Sequence, residues 1–272
     1  MSDASTKKEE VLAFWDAASC GEVYAEGETS EEQFQAHSRA RYNLEPYILD
    51  FARFEDGRDK DVLEIGVGMG ADHLLWASHS PQRLVGVDLT PRAVEWTRRR
   101  LAAEGKVSEL QTADAEHLPF TDNSFDLVYS WGVLHHTPDT AAAFREVYRV
   151  LRPGGTARIM IYHSRSIVGA ILWTRYALLA CHPRRSMDDI YASHLESPGT
   201  KAFSVMQGHE LAKEFSQVTV QSHLSFGDLL QGEVGQRHAG RALDLAKKVW
   251  PRALIRRFMP RSGLMLLVEG KK

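Results

Sequence analysis

The stretch Asp61–Gly70, D-V-L-E-I-G-V-G-M-G, constrains what this chain can fold into more than any other. Asp61–Ile65 reads as a buried parallel strand. Gly66, Gly68 and Gly70 then predict a tight turn, followed by a helix over Ala71–Ala77. Glycine suits such a turn because a Cβ would hold the backbone away from a ligand, and because glycine adopts positive φ without strain. A strand–turn–helix unit of this kind aims backbone N–H groups and a helix N-terminus at whatever lies above it. It predicts a nucleotide-type site at the carboxyl end of a strand in an open α/β sheet.

The glycines do not say which nucleotide. Residues 66–71 also satisfy the dinucleotide pattern G-x-G-x-x-[G/A], with Ala71 last. Asp88 closes the next strand, Leu84–Leu89, where a carboxylate accepts hydrogen bonds from two ribose hydroxyls. Glu64 precedes the glycines and suits an ammonium, held directly or through water. Asp114, in T-A-D-A-E, is a second acid, able to accept from an adenine amine. Asp126–Gly155 contains D-L-V-Y-S-W-G-V-L-H-H and, later, Y-R-V-L-R-P-G-G.

Taken together, Asp61–Tyr162 resembles the cofactor-binding core of class I S-adenosylmethionine-dependent methyltransferases. It is most similar to the ubiquinone/menaquinone-type small-molecule subgroup. The resemblance implies S-adenosyl-L-methionine as cofactor and S-adenosyl-L-homocysteine as product. It implies a cofactor site built from Glu64, Gly66, Gly68, Gly70, Asp88, Leu89, Asp114, Ala115 and Glu116. Ser130 and Trp131 sit where this superfamily places backbone contacts to the methionine part. Arg41 and Tyr42 resemble cofactor-facing residues of an N-terminal segment that folds over the ligand; the alternative is that they anchor a helix to the sheet.

Strands and helices alternate through this core. Thr90 and Pro91 open a charged helix, Pro91–Ala103, as N-cap and first residue. Ser108–Thr112 and Ser124–Ser130 read as strands. Thr137 or Asp139 caps a helix running to Val150, Pro153-Gly154-Gly155 stops it, and Thr156–Tyr162 is a further strand. Such alternation predicts a parallel sheet covered on both faces. The fold class expected is α/β, a doubly wound Rossmann-like methyltransferase fold. Its seven-stranded sheet is mostly parallel, with Leu264–Glu269 as the antiparallel strand and a helical cap added. The chain reads as one domain, 1–272: an N-terminal helical lid (1–55), the cofactor-binding core (56–162), a cap insertion (163–203), and the rest of the sheet (204–272) with a basic helical insertion at 226–261. Within the lid, residues 1–8 are expected to be disordered and Glu9–Ala18 to form a short amphipathic helix.

With 272 residues, 43% of them hydrophobic, the chain can fill one large α/β core. A net charge of −3 argues against a whole-chain nucleic-acid binder. Cys20 and Cys181 are isolated, which fits a reducing compartment, and the N-terminus lacks an apolar signal region, so a cytoplasmic location is expected. Ile167–Cys181 is shorter than the ~20 apolar residues of a spanning helix and is interrupted by Arg175. It reads as a covering helix, with peripheral lipid contact as the alternative and no stable membrane insertion. The 226–261 segment either completes the cap or forms a homodimer contact.

Methyl transfer from a sulfonium needs alignment and exclusion of water more than a fixed triad. A base is required where the attacking atom keeps a proton. His135 and His136 are the candidates, His135 preferred, with capping or packing as the alternative role for both. Tyr162 is a third candidate, over the expected active site. No metal site is expected, because adjacent histidines are not the i, i+4 pair that puts two ligands on one helical face. After the fourth strand the chain has Ser130-Trp131-Gly132-Val133, not the Asn/Asp-Pro-Pro-Tyr/Phe motif of methyltransferases acting on DNA bases or protein glutamine. That removes the most direct argument for a nucleic-acid partner, and the apolar covering helix motivates the acceptor expected, a small, apolar or aromatic metabolite attacked through carbon or oxygen. An RNA or protein methyltransferase, supported by the basic C-terminal segment, and a non-catalytic S-adenosylmethionine-binding protein are the alternatives.

Overall fold

A computed structural model describes residues 3–231 and 247–272. The chain opens with helices α1 (Asp3–Ala17), α2 (Ser30–Leu44) and α3 (Tyr47–Ala52). Strand β1 (Asp61–Ile65), helix α4 (Ala71–Ser78), strand β2 (Arg83–Asp88) and helix α5 (Pro91–Ala103) follow. Next come β3 (Glu109–Thr112), β4 (Phe125–Trp131), α6 (Thr140–Val150) and β5 (Leu151–Tyr162). Helices α7 (Ile167–Trp173), α8 (Met187–His194) and α9 (Val205–Leu211) precede β6 (Ser216–His223), α10 (Arg252–Phe258) and β7 (Met265–Lys271).

The seven strands form one sheet in the order β3-β2-β1-β4-β5-β7-β6. Pairings from β3 to β5 are parallel, and β7 runs antiparallel to both β5 and β6. Alternate residues of each strand face opposite sides, and both sides are apolar, as a sheet covered by helices requires. On β1, Leu63 and Ile65 enter one core with Phe144 and Val147 of α6; Val62 enters the other with Trp76 of α4 and Tyr129. The helix starts follow from local chemistry. The Thr90 hydroxyl accepts from the Ala93 amide and Pro91 occupies the first turn of α5, while the Asp139 carboxylate accepts from the Ala142 amide at α6.

Three expectations are corrected. Residues 3–8 are not disordered but open α1, and the Lys8 ammonium there reaches Asp114 and Glu116. Helix α6 ends at Val150, before the Pro153-Gly154-Gly155 run, and the chain enters β5 at once. The run instead loops out of the β4 pairing, whose register jumps from Phe125↔Leu151 to Leu127↔Thr156. The apolar Ile167–Cys181 stretch is not one α-helix: α7 passes into a π turn over Thr174–Leu178, which includes Arg175. Among the described residues no helix is long and apolar enough to cross a membrane. Most of the 226–261 segment's middle, including Arg241, lies outside the described residues.

Candidate functional site

A cavity of about 380 Å³ opens at the carboxyl ends of the parallel strands. Its floor is the glycine loop with Asp88, Leu89 and Trp131; α1 contributes Val11, Phe14 and Trp15; α7 and the loop after α8 contribute Val168, Ile171, Leu172 and Glu196. Gly66 has φ +86°, and a Cβ there would lie 2.0 Å from the Val133 side chain, so both conformation and space require glycine. Gly68, at φ +51°, has no atom within 4 Å of where its Cβ would be, which leaves its backbone open to the cavity.

The Gly68 amide donates to one Asp88 carboxylate oxygen at 3.1 Å, and the Thr90 amide and hydroxyl donate to the other at 3.0 Å each. Burial pushes the Asp88 carboxyl up, and these amides pull it back part of the way. The acid is thereby fixed between loop and β2, facing the cavity. Asp114 and Ala115 also line it, with Asp114 accepting from Lys8 of α1. Glu116 is turned away: its carboxylate takes the Asp139 amide at 2.6 Å and Lys8 at 2.7 Å.

Glu64 borders the cavity, yet its Oε2 lies 2.9 Å from Nδ1 of the fully buried His73. His73 Nε2 is 2.8 Å from the Ser108 hydroxyl, which donates to the Leu84 carbonyl. Since the Ser108 proton is used there, its oxygen accepts from Nε2–H. His73 Nδ1 is then an acceptor, and Glu64 supplies the proton. Burial drives both groups the same way, lifting Glu64 well above the carboxylate range and lowering His73 to about 3.

Arg41 and Tyr42 meet at Asp72 in the first turn of α4. Arg41 forms a two-pronged pair with it, at 2.8 and 2.5 Å, and the hydroxyls of Tyr42 and Tyr129 donate at 2.9 and 2.7 Å. Burial opposes ionisation of Asp72, but Arg41 and the two hydroxyls outweigh it and hold the carboxyl below its usual range. Arg41 reaches the cavity wall; Tyr42 does not, and serves to fasten α2 to α4. Ser130 is likewise behind the wall, its buried hydroxyl donating to the Ile65 carbonyl.

Past β4 the chain makes a 3₁₀ turn over Leu134–His136. His136 reaches the cavity and His135 does not, reversing the preference drawn from sequence. His135 is 0% exposed, lies tilted against the Tyr162 ring with centroids 4.0 Å apart, and burial keeps it neutral. Tyr162 lines the cavity and donates to Glu196 at 2.6 Å; burial and that carboxylate raise its proton affinity so far that it acts as a donor and not as a base. Sequence reasoning passed over Glu196, Ser197 and Thr200, which lie in E-S-P-G-T-K and look like an ordinary loop. It also passed over Asp72, whose partners come from α2 and β4. Two groups bring ligand-type atoms within 4.8 Å of one another, His135–His136–Glu196 and Asp114–Glu116–His117. In the first, Glu196 already accepts from Tyr162; in the second, the Lys8 ammonium already pairs with both acids.

Residues 63–159 match a family described as a methyltransferase domain. Over 226 residues the chain is 26% identical to methyltransferase GfsG of Streptomyces halstedii, an alignment covering 81% of this chain and 77% of that protein. Over 124 residues it is 39% identical to erythromycin 3''-O-methyltransferase of Saccharopolyspora erythraea, covering 44% of this chain but 40% of the relative. The fold matches phosphoethanolamine N-methyltransferase 2 of Haemonchus contortus, solved with S-adenosylhomocysteine, at a TM-score of 0.60 and 19% identity, over 96% of this chain and 60% of that one. Sheet order, glycine loop and family match agree: residues 63–159 form a methyltransferase domain, and the fold is that of class I S-adenosylmethionine-dependent methyltransferases.

Proposed function

We propose that this chain methylates a small, largely apolar metabolite through oxygen or carbon. The observation that carries this reading is the cavity, one continuous space running from the glycine loop to an apolar wall of Val168, Ile171, Leu172 and Leu230. S-adenosylmethionine supplies an electrophilic methyl group. Asp88 suits the ribose hydroxyls, Asp114 and Ala115 the adenine, and the loop backbone with Trp131 the methionine part. Helix α1 acts as a lid and residues 163–203 as the acceptor-side cap, which together exclude water from the transfer. An acceptor pocket bounded on both sides fits a metabolite better than an RNA or a folded protein. The names of the relatives, among them a tocopherol O-methyltransferase of Arabidopsis thaliana and the erythromycin enzyme, support a small-molecule acceptor.

Incubation with labelled S-adenosylmethionine and a metabolite extract should give a labelled low-molecular-weight product; label confined to RNA or protein would refute the reading. Titration calorimetry tests the cofactor half. Asp88→Ala should weaken S-adenosylhomocysteine binding by about 2 kcal/mol, roughly thirtyfold, because hydrogen bonds to a charged partner are lost. An unchanged affinity would move the ribose away from Asp88.

A further inference from the structure

The loop between α8 and α9 is docked on the histidine turn with unusual thoroughness. The Lys201 amide donates to the His135 carbonyl at 3.2 Å. Its ammonium reaches the Pro138 carbonyl at 2.7 Å and the Thr137 carbonyl, so loop and turn are held as one unit. Ser197 and Thr200 are 0% and 1% exposed, and their hydroxyls lie 2.8 and 3.2 Å from Nδ1 of His136. The Thr200 proton goes to the Ser197 carbonyl at 2.7 Å, and the Ser197 proton has Thr200 Oγ1 within 3.3 Å. With its proton used there, the Thr200 oxygen is an acceptor toward Nδ1–H, and the Ser197 oxygen joins it when its own proton goes to Thr200 Oγ1. The other nitrogen, Nε2, is buried with no hydrogen-bond partner among the described residues, 3.4 Å from Glu196 Oε2. His136 and Glu196 both line the cavity.

We infer that the cap loop completes the active centre: Ser197 and Thr200 hold His136 with Nε2 as the basic nitrogen, and Glu196 faces that nitrogen as its charge partner, so the site is equipped to take a proton from an acceptor hydroxyl. This rests on the proposed methyltransferase reading and narrows it to O-methylation. The acceptor oxygen forms the new bond to the methyl carbon. The carbon–sulfur bond breaks with its electron pair left on sulfur, giving S-adenosylhomocysteine, and the hydroxyl proton passes to Nε2. The imidazolium so formed is stabilised by the Glu196 carboxylate and shares its charge through Nδ1–H with the two hydroxyl oxygens. The groups facing the ring are Trp15 of α1, His135 of the same turn, Tyr162 of β5 and Glu196 of the loop, so Glu196 is the one acid in direct view among the described residues. Ser197 and Thr200 are positioning residues.

Two measurements on the full chain test this. Ring ¹⁵N shifts of His136 in the S-adenosylhomocysteine complex, assigned by their loss in His136→Gln, should show the Nδ1–H tautomer. The double variant Ser197→Ala/Thr200→Val should shift the population toward Nε2–H, with affinity for S-adenosylhomocysteine retained. An Nε2–H tautomer in the unaltered protein, or no shift in the variant, overturns the inference. With ¹³C-methyl cofactor, the extract-derived product should carry a methyl ether. For the reaction that forms that product, Glu196→Gln should lower kcat about 100-fold, the low end of general-base effects, with KM for S-adenosylmethionine unchanged. Label on carbon or nitrogen, or an undiminished kcat, also overturns it. Absence of any labelled product counts against the proposed function instead, and the tautomer measurement still decides this one.

Discussion

At the scale of single residues, burial has separated groups that look alike in sequence. Glu64 and Asp72 are both acids beside the glycine loop and both nearly inaccessible, at 3% exposure each. Asp72 keeps its charge because Arg41 pairs with it; Glu64 has His73 beside it, which burial keeps neutral, and so holds a proton. The consequence is a stability that depends on pH in a stated direction. Glu64 binds a proton in the folded state that the unfolded chain releases above 4.5, so its contribution is lost as pH rises toward the raised folded value. His73 works the other way between about 3 and 6.5, where the unfolded chain takes a proton that the folded one refuses. From 4.5 to 6.5 the two oppose; above 6.5 Glu64 acts without that opposition. Glu64→Gln keeps an N–H donor toward His73 and removes the titration. Urea unfolding should show the variant losing less stability than the parent as pH rises above 6.5, and gaining more steeply between 4.5 and 6.5. Parallel profiles would mean that Glu64 is ionised in the fold.

At the scale of elements, the regular units were legible and the contacts between distant ones were not. The strand Asp61–Ile65 and the helix Pro91–Ala103 with its Thr90 cap have the bounds that periodicity and capping chemistry dictate. The antiparallel terminal strand was legible too, through the resemblance of the preceding core. Residues 3–8 were misread because a polar, charged run carries no core-facing stripe; they are helical in continuity with Val11, which is buried. The pairing of His136 with Glu196 spans some sixty positions and leaves no local trace, since neither a loop acid nor a buried serine announces its partner. The same holds for Lys8, which ties α1 across to Asp114 and Glu116. This pair is partly exposed, so Lys8→Ala should change global stability by less than about 1 kcal/mol in urea unfolding. It should nevertheless speed release of S-adenosylhomocysteine in stopped-flow displacement, because α1 carries Val11, Phe14 and Trp15 over the cavity. An unchanged release rate would show that α1 is not the gate.

At the scale of the whole molecule, one side chain on β5 ties the root of the N-terminal helices to the C-terminal strand. Arg158 is 4% exposed on β5, between β4 and β7. It donates to the Ala52 carbonyl at the end of α3 and to Asp56, and its Nε lies 3.7 Å from Glu269 on β7. Arg53 reaches the same Glu269, so the root of the N-terminal helices, β5 and the C-terminal strand β7 share one ionic cluster. Because β7 is inserted between β5 and β6, it cannot leave without opening the sheet. The physical expectation is a molecule that unfolds as a unit. Arg158→Met retains the apolar bulk and removes the hydrogen bonds. The partners left behind, Asp56 and Glu269, are about 41% and 34% exposed in their side chains and regain water. The loss should therefore be about 2 kcal/mol, below that of a fully buried charge stripped of its partner. Calorimetry should show a lowered midpoint in one transition. Two separated transitions would show that the remaining ties, Arg41 and Tyr42 to Asp72 and Lys8 to Asp114, do not suffice to couple the N-terminal helices to the sheet, whereas an unshifted midpoint would mean the cluster contributes no net stability.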